Sequence, residues 1–308
     1  MFDVICTGMA LVDSIIRGFD PNPISASGYI AASGSLNVGG EAVNEAIAAA
    51  KLGLKTGIVC ALGEDEAGDM IRNVLRRNGV SIVHAAEGIS TPVTTMFIHA
   101  DGTRKSITNE AHRYNFRPEN HPEAFTDARV LMLGSLFRAP FDDPAIIHSV
   151  LMAAKSAGQL VIADTKLPNF RRLTMHDLQD SLPLIDYITP NEDEARYYTG
   201  KADPETTAEA LLSWDVQNVI IKLGAKGCLM MTPKKTIRLP GYTVNAVDTT
   251  GAGDNFAAGF ASEILRGKTA EEALRFANAC GAICTTAVGA GTALQNREQV
   301  LQFMERMQ

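Results

Sequence analysis

Apolar residues along this chain alternate between short β-branched runs and longer stretches in which they recur at helical spacing. Residues 2–8 (FDVICTG) form the first run, and residues 39–53 (GGEAVNEAIAAAKLG) the first helical stretch, with Gly53 where a helix would end. Residues 55–63 (KTGIVCALG) then predict a strand and residues 67–79 (AGDMIRNVLRRNG) a helix closed by Gly79. The alternation continues through a strand at 129–135, a helix at 143–157 closed by Gly158, a strand at 159–164, a helix near Leu178 and a strand at 186–190. A strand at 218–224 and helices at 255–267 and 270–287 complete it. Strands separated by helices in this way call for a mostly parallel sheet with helices on both faces, a three-layer α/β/α fold.

Two segments break the rhythm. Residues 13–35 and 91–108 are strand-like with no helix within either segment, and in TTMFIHADGTRKSIT (94–108) the pair Asp101-Gly102 reads as a hairpin turn. They predict a small β lid beside the main sheet. Exposed strand edges seek partners, so the lid is also where two copies would pair as a homodimer. No repeat or Pro/Gly/Ser-rich linker divides the 308 residues, which predicts a single domain, 1–308, carrying lid segments at about 13–35 and 91–108.

Composition narrows the chemistry. A net charge of −7 and the absence of any Lys/Arg cluster argue against nucleic acid. No apolar run is long enough to span a membrane, and the N-terminal MFDVICTG lacks the pattern of a signal peptide. The five cysteines contain no C-x-x-C pair and sit among apolar neighbours, which predicts buried thiols in a cytoplasmic protein. Cys280 and Cys284, one helical turn apart, read as core residues.

The chemistry concentrates in VDTTGAGDNF (247–256). Gly251, Ala252 and Gly253 stand at the entry to a helix, where backbone N–H groups lack partners and the helix dipole adds positive charge. Asp254 follows at the same helix start, which favours its ionised form. A donor cradle beside a base suits phosphoryl transfer to an alcohol: the cradle stabilises the transferring group and the base takes the hydroxyl proton. An ordinary capping turn, with Asp254 as the cap, is the more common meaning of a bare G-x-G-D.

Over its full length this segment resembles the C-terminal signature of the ribokinase-like (PfkB) carbohydrate kinases. GGEAVNEAIAAAKLG is similar to the family's N-terminal signature, TPNEDEA (189–195) to its T-P-N-x-x-E segment and IIKLGAKG (220–227) to its nucleotide segment, all in the family's order. The resemblance implies a ribokinase-like fold, ATP as phosphoryl donor and a sugar hydroxyl as acceptor. It implies Asp254 as catalytic base, Gly251, Ala252 and Gly253 as anion hole, and Asp13, Gly39, Gly40 and Asn44 on the sugar. Asn191 and Glu194 would organise Mg2+ and phosphate, although an acidic helix start explains Glu194 as well. Lys222, Gly224, Gly227 and Asn278 would lie along the nucleotide, and Asp248 and Thr250 would help hold K+. Glu41 occupies a variable position and receives no role. In ADTKLPNF (163–170), which departs from the family's pattern, Lys166 could reach a phosphate, but a solvated surface lysine is the simpler reading.

Other motifs fail. The GKT at 267–269 lacks the first P-loop glycine, since Ser262 stands there, and GAGDNF has Phe256 where a dinucleotide-binding fingerprint needs its third glycine. The six histidines show no zinc-ligand spacing. Two rival functions stay open: a nucleoside kinase, for which the N-terminal segment offers only Phe19 and Tyr29 as aromatics, and a sugar-binding sensor without catalysis. Arg104, Lys105 and Arg113 could pair with the acid group of a sugar acid.

Overall fold

The computed structural model describes residues 1–18, 30–86, 88–99, 103–109, 121, 123–169 and 171–307. Chain order begins β1 Phe2–Thr7, β2 Leu11–Arg17, β3 Ser33–Gly39, α1 Glu41–Lys51, β4 Thr56–Ala61, α2 Glu66–Arg77, β5 Ser81–Ala86, β6 Val93–Ile98 and β7 Arg104–Thr108. It continues with α3 Glu123–Thr126, β8 Ala128–Leu136, α4 Pro144–Ser156, β9 Leu160–Thr165, β10 Tyr187–Ile188, α5 Glu192–Thr199 and α6 Pro204–Leu212. The last elements are β11 Val219–Lys222, β12 Cys228–Met231, β13 Thr236–Leu239, α7 Ala252–Leu265, α8 Ala270–Cys284 and α9 Arg297–Arg306.

The large sheet has the order β13-β12-β11-β10-β9-β8-β1-β4-β5. Its strands are parallel from β11 to β5, and β12 runs antiparallel to both of its neighbours. Alternation along each strand feeds two cores. Val4, Cys6, Val130, Met132, Ile162 and Ile220 pack with α1, α2, α7 and α8. Ile5, Leu131, Leu133, Val161, Ala163 and Val219 pack with α4 and α6 on the other face. Both faces are therefore dry, which is why these strands read as unbroken apolar runs. Where α7 meets α8 the approach is so close that a Cβ on Gly259 would stand 2.8 Å from Cys280 Sγ. All five cysteines are buried and free, as expected.

The small sheet has the order β3-β2-β6-β7, with β2 and β6 parallel and the outer pairs antiparallel. The expected lid is present, although it starts at Leu11 and its β3 runs on to Gly39. β6 and β7 pair as a hairpin; the proposed turn at Asp101-Gly102 lies outside the described residues, as do Phe19, Tyr29 and Arg113.

Some expectations need correction. The helix near Leu178 is a single 3₁₀ turn, Met175–Leu178, started by a Thr174/Asp177 capping box. Pro183, in the next short turn, bars a longer helix there. The strand at 186–190 shrinks to Tyr187–Ile188. The helices α6 and α9 and the β12–β13 pair have no counterpart in the sequence pattern, and of α5 only the acidic start is anticipated: α5 and α9 are short and highly polar, so their apolar stripe is thin. No described helix is long and apolar enough to cross a membrane.

Candidate active site

Strands β1, β8, β9 and β11 end at one edge of the large sheet, and the first turns of α1, α5 and α7 lie near it. Ligands in open α/β sheets bind outside the carboxyl ends of the strands, and the chemistry-bearing residues gather there. Gly251 is the N-cap of α7 in the left-handed region (φ 76), with Ala290 packed so closely that a Cβ would collide with it. Asp254 is thus the third residue of the helix. One of its oxygens accepts from Asn44 Nδ2 of α1 at 2.7 Å, and the other lies 3.8 Å from Lys166 Nζ. The carboxylate looks across the cleft instead of back at its own helix, so the capping account does not explain it. In the cradle, Ala252 N–H is taken by Thr249 O at 3.2 Å. Gly253 and Asp254 therefore offer the open first-turn donors. Lys222 Nζ lies 3.0 Å from where a Gly253 Cβ would stand, so the absence of a side chain there admits an ammonium to the same spot.

Behind the cradle sits a buried acidic cluster. Glu45, Asp164 and Asp254 bring ligand oxygens within 4.8 Å of one another, and each is at most 4% exposed. Lys222 Nζ donates to Asp164 Oδ1 at 2.5 Å, while Glu45 Oε2 and Asp164 Oδ2 have no partner among the described residues. Burial pushes the Glu45 carboxyl well up, with the Asp254 and Asp164 charges adding to it. Burial raises Asp254 too; Lys166 opposes the shift, Glu41 and Asp164 reinforce it, and the Asn44 bond resists it. The sequence expectation that the helix start favours an ionised Asp254 is thus outweighed by desolvation. Hard, partly unpartnered carboxylate oxygens of this kind fit a divalent cation such as Mg2+.

Lys166 corrects the sequence reading most sharply. It is no solvated surface lysine: its side chain is 21% exposed and its ammonium lies 3.6 Å from Glu41 Oε1 as well as near Asp254. Burial alone would lower its pKa, but Asp254, Glu41, Asp164 and Glu194 surround it and hold it well above the usual lysine value. Glu41, given no role from sequence, also accepts from Ser135 Oγ at 3.1 Å. The usable signal for Asp164 and Lys166 is position: they sit at and just beyond the carboxyl end of β9.

On one side of Asp254 lies a cleft of about 390 Å³ roofed by the lid. Asp13, Gly39, Gly40, Asn44, Asp248 and Thr250 all line it, as do Glu41 and Arg138, which the sequence does not single out. Gly40 (φ 99) turns the chain from lid to α1, where Met9 O leaves no room for a Cβ, and a Cβ on Gly39 would meet Asp13 Oδ2 at 2.8 Å. Burial, aided by the Glu41 charge, pushes Asp13 up to about 6. Asn44 lines this cleft but spends its amide on Asp254, so it also orients that carboxylate. Asp248 ties two loops together, accepting from Thr250 N and Oγ1 and from Gly289 N. Burial pushes its carboxyl up, but those hydrogen bonds win and hold it below the usual range. Of the basic residues considered for an acid group, Arg104 lines the cleft; Lys105 alternates to the lid's other face.

On the other side lies a cavity of about 520 Å³. Asn191, Lys222, Gly224, Gly227, Asn278, Ala252 and Gly253 line it, together with Tyr242 and Phe256. Asn278 is held by Pro240 O at 3.3 Å. Glu194 is absent from both linings: it forms a reciprocal capping box with Asn191 and accepts from Thr165 Oγ1 at 2.9 Å. Burial and the Asp164 charge raise its pKa. The two cavities share three lining residues, Lys166, Gly251 and Asp254.

Residues 3–297 match the model of the pfkB family carbohydrate kinases. A ribokinase of Haemophilus influenzae is 30% identical over 273 residues, covering 87% of each chain. Fructokinase-2 of Solanum lycopersicum is 30% identical over 98% of this chain and 96% of its own. The structure of Arabidopsis thaliana ribokinase complexed with ribose and ATP superposes with a TM-score of 0.84 at 27% identity, covering 99% of both chains. A buried carboxylate beside open backbone donors, where two cavities meet, suits such an enzyme, and the chain belongs to the pfkB family of carbohydrate kinases, phosphotransferases acting on a sugar hydroxyl.

Proposed function

We propose that this protein transfers the γ-phosphoryl group of ATP to a hydroxyl of a small sugar or sugar acid of the ribose, fructose or 2-keto-3-deoxygluconate type. One observation carries the reading: the lid-covered cleft and the second cavity meet at Lys166, Gly251 and Asp254. The sugar occupies the cleft, with Asp13 accepting from its hydroxyls and Asp254 taking the proton of the attacking one. ATP occupies the second cavity, with its γ-phosphoryl group toward the Gly253 and Asp254 N–H groups and the Lys222 ammonium. Lys166 offsets charge between the two ligands and keeps Asp254 available as a base. Mg2+ bound with ATP would neutralise phosphate charge, and Glu45 and Asp164, with Glu194 nearby, would supply the oxygens to position it, which leaves Asp254 to take the proton.

A nucleoside is disfavoured as acceptor, because no aromatic side chain among the described residues lines the cleft. K+ is assigned to the loops joined by Asp248, Thr250 and Gly289, and equal rates in K+, Na+ and a bulky organic cation would remove it. A single domain in the cytoplasm completes the reading. The outer face of the lid carries Leu36 and Ile107, 61% and 68% exposed, on which a second copy would pack. The test is ATP consumption with Mg2+ across ribose, fructose and 2-keto-3-deoxygluconate. Turnover with at least one of them is expected, and silence with all three would count against the reading.

A further inference from the structure

The lid's inner face is ordered in rows. Along β2 the residues Leu11, Asp13, Ile15 and Arg17 face the cleft; along β6, Thr94, Met96 and Ile98; along β7, Thr108, Ser106 and Arg104. Register sets them side by side. Asp13, Thr94 and Thr108 form one row, Ile15, Met96 and Ser106 the next, and Arg17, Ile98 and Arg104 the last. The first row is polar and carries the carboxylate that suits sugar hydroxyls. The middle row is mostly apolar. The last row is cationic, with Arg17 and Arg104 flanking Ile98 on adjacent strands, roughly 10 Å apart at their backbones. Guanidinium stems are long enough to converge from that spacing on one group.

Arg138 comes to the same cleft from the loop after β8. Among the described residues none of these three arginines forms an ion pair with a carboxylate, although Arg104 feels the charge of Asp248 across the cleft. In a chain of net charge −7, three guanidinium groups in one cleft that have no carboxylate partner among the described residues point to an anion brought by the ligand.

We propose that the distal end of the cleft is an anion subsite. Arg17 and Arg104 bind a carboxylate or phosphate carried by the sugar at the end remote from the hydroxyl that is phosphorylated. This rests on the kinase reading and deepens it, because the preferred acceptor becomes a sugar acid or a sugar phosphate and not a neutral sugar. Arg17 lies four residues along β2 from Asp13, roughly 13 Å in strand geometry. The acceptor hydroxyl and the anionic group therefore belong to opposite ends of one elongated molecule.

The experiment compares fructose, fructose 6-phosphate and 2-keto-3-deoxygluconate by kcat/KM and, in parallel, by calorimetric binding. The native protein is expected to favour an anionic member roughly 10- to 100-fold over fructose, the range for a charged hydrogen-bonding partner. The phosphate and carboxylate arms tell which anion it takes. Arg17→Gln and Arg104→Gln should raise KM for the anionic compound and narrow the preference, with Arg104→Lys restoring part of it. Lys105→Gln, on the lid's other face, should leave the preference as it is. Preferred turnover of fructose, or a preference that survives both Gln substitutions, overturns the subsite. Absence of ATP consumption with every compound sinks the kinase reading instead, and calorimetry still decides the subsite: anion binding weakened by the Gln substitutions supports it, and unchanged or absent binding rejects it.

Discussion

The large sheet and the lid are built from strands of similar length, yet they do opposite work. β1, β8, β9 and β11 are dry on both faces, and the groups at their carboxyl ends are held by buried contacts: Lys222 by Asp164, Asp254 by Asn44. The lid has one face on the cleft and one outside, and its cleft-facing side chains are mostly exposed or half-buried and change character row by row. Bond-making groups need fixed positions, which a close-packed scaffold supplies. Recognition groups must admit and release a ligand, which suits a thin, one-sided sheet. Damage to the first region should therefore appear in kcat, and damage to the second in KM.

The largest effect is expected for Asp254→Asn. Size and shape are kept while the proton acceptor is lost, so kcat should fall roughly 10²- to 10⁴-fold with the protein folded. Full turnover in the folded variant would falsify the assignment of Asp254 as base. Because burial raises its pKa, native kcat should decline as pH falls through that raised value, where the base becomes protonated.

Next comes Lys166→Met, which keeps the stem and removes the charge. A fall in kcat of roughly 10²-fold is expected, comparable to loss of one stabilising donor. Since Lys166 lowers the pKa of Asp254, its removal should also move the acid limb of the pH–rate profile to higher pH. A merely structural lysine would leave that limb in place.

Asp13→Asn tests the lid side. KM for the sugar should rise roughly 5- to 100-fold, from a lost charged acceptor, with a smaller change in kcat. The folded-state pKa of Asp13 is raised to about 6. Its contribution to stability is thus fully present below the ordinary carboxylate range and is lost as pH rises toward 6. The ligand-free Asn variant should therefore melt higher than the native protein at pH 7, by a margin that vanishes near pH 4. An unchanged margin across that window would show that Asp13 is not the strained acid.

The smallest effect belongs to the outer face. Leu36→Lys with Ile107→Lys should alter monomer stability by no more than about 0.5 kcal/mol, as for exposed positions generally. Light scattering should nevertheless show dimers giving way to monomers. A native protein that is already monomeric would end the lid-pairing proposal while leaving the chemistry untouched.

Much of this division is legible in the amino-acid pattern. The unbroken apolar runs at residues 2–8 and 129–135 announce buried parallel strands, and the helix-free segments announce the lid. The cradle Gly251-Ala252-Gly253 and Asp254 stand out because small residues before an acid at a helix start have a local physical meaning. Elements with little local signal escape: α5 is mostly polar, and the 3₁₀ turn at Met175–Leu178 looks helical until Pro183 is weighed. Lys166 is hidden for another reason. Nothing within ADTKLPNF marks it as buried, since its carboxylate neighbours Glu41 and Asp254 are 125 and 88 positions away along the chain (166 − 41 and 254 − 166).

By itself the sequence determined the things that depend on near neighbours: strand and helix periods, the glycine turns, the helix start that holds Asp254, and the family signatures. Only the tertiary structure decided which charges face one another. It set Glu45 beside Asp164 and Asp254, turned Asn44 onto Asp254, brought Lys166 to the junction of two cavities and aligned Arg17 with Arg104 across Ile98. Helix and strand propensities act over a few residues, whereas electrostatic energy depends on distance and burial in space, and these exist only once the chain has closed on itself.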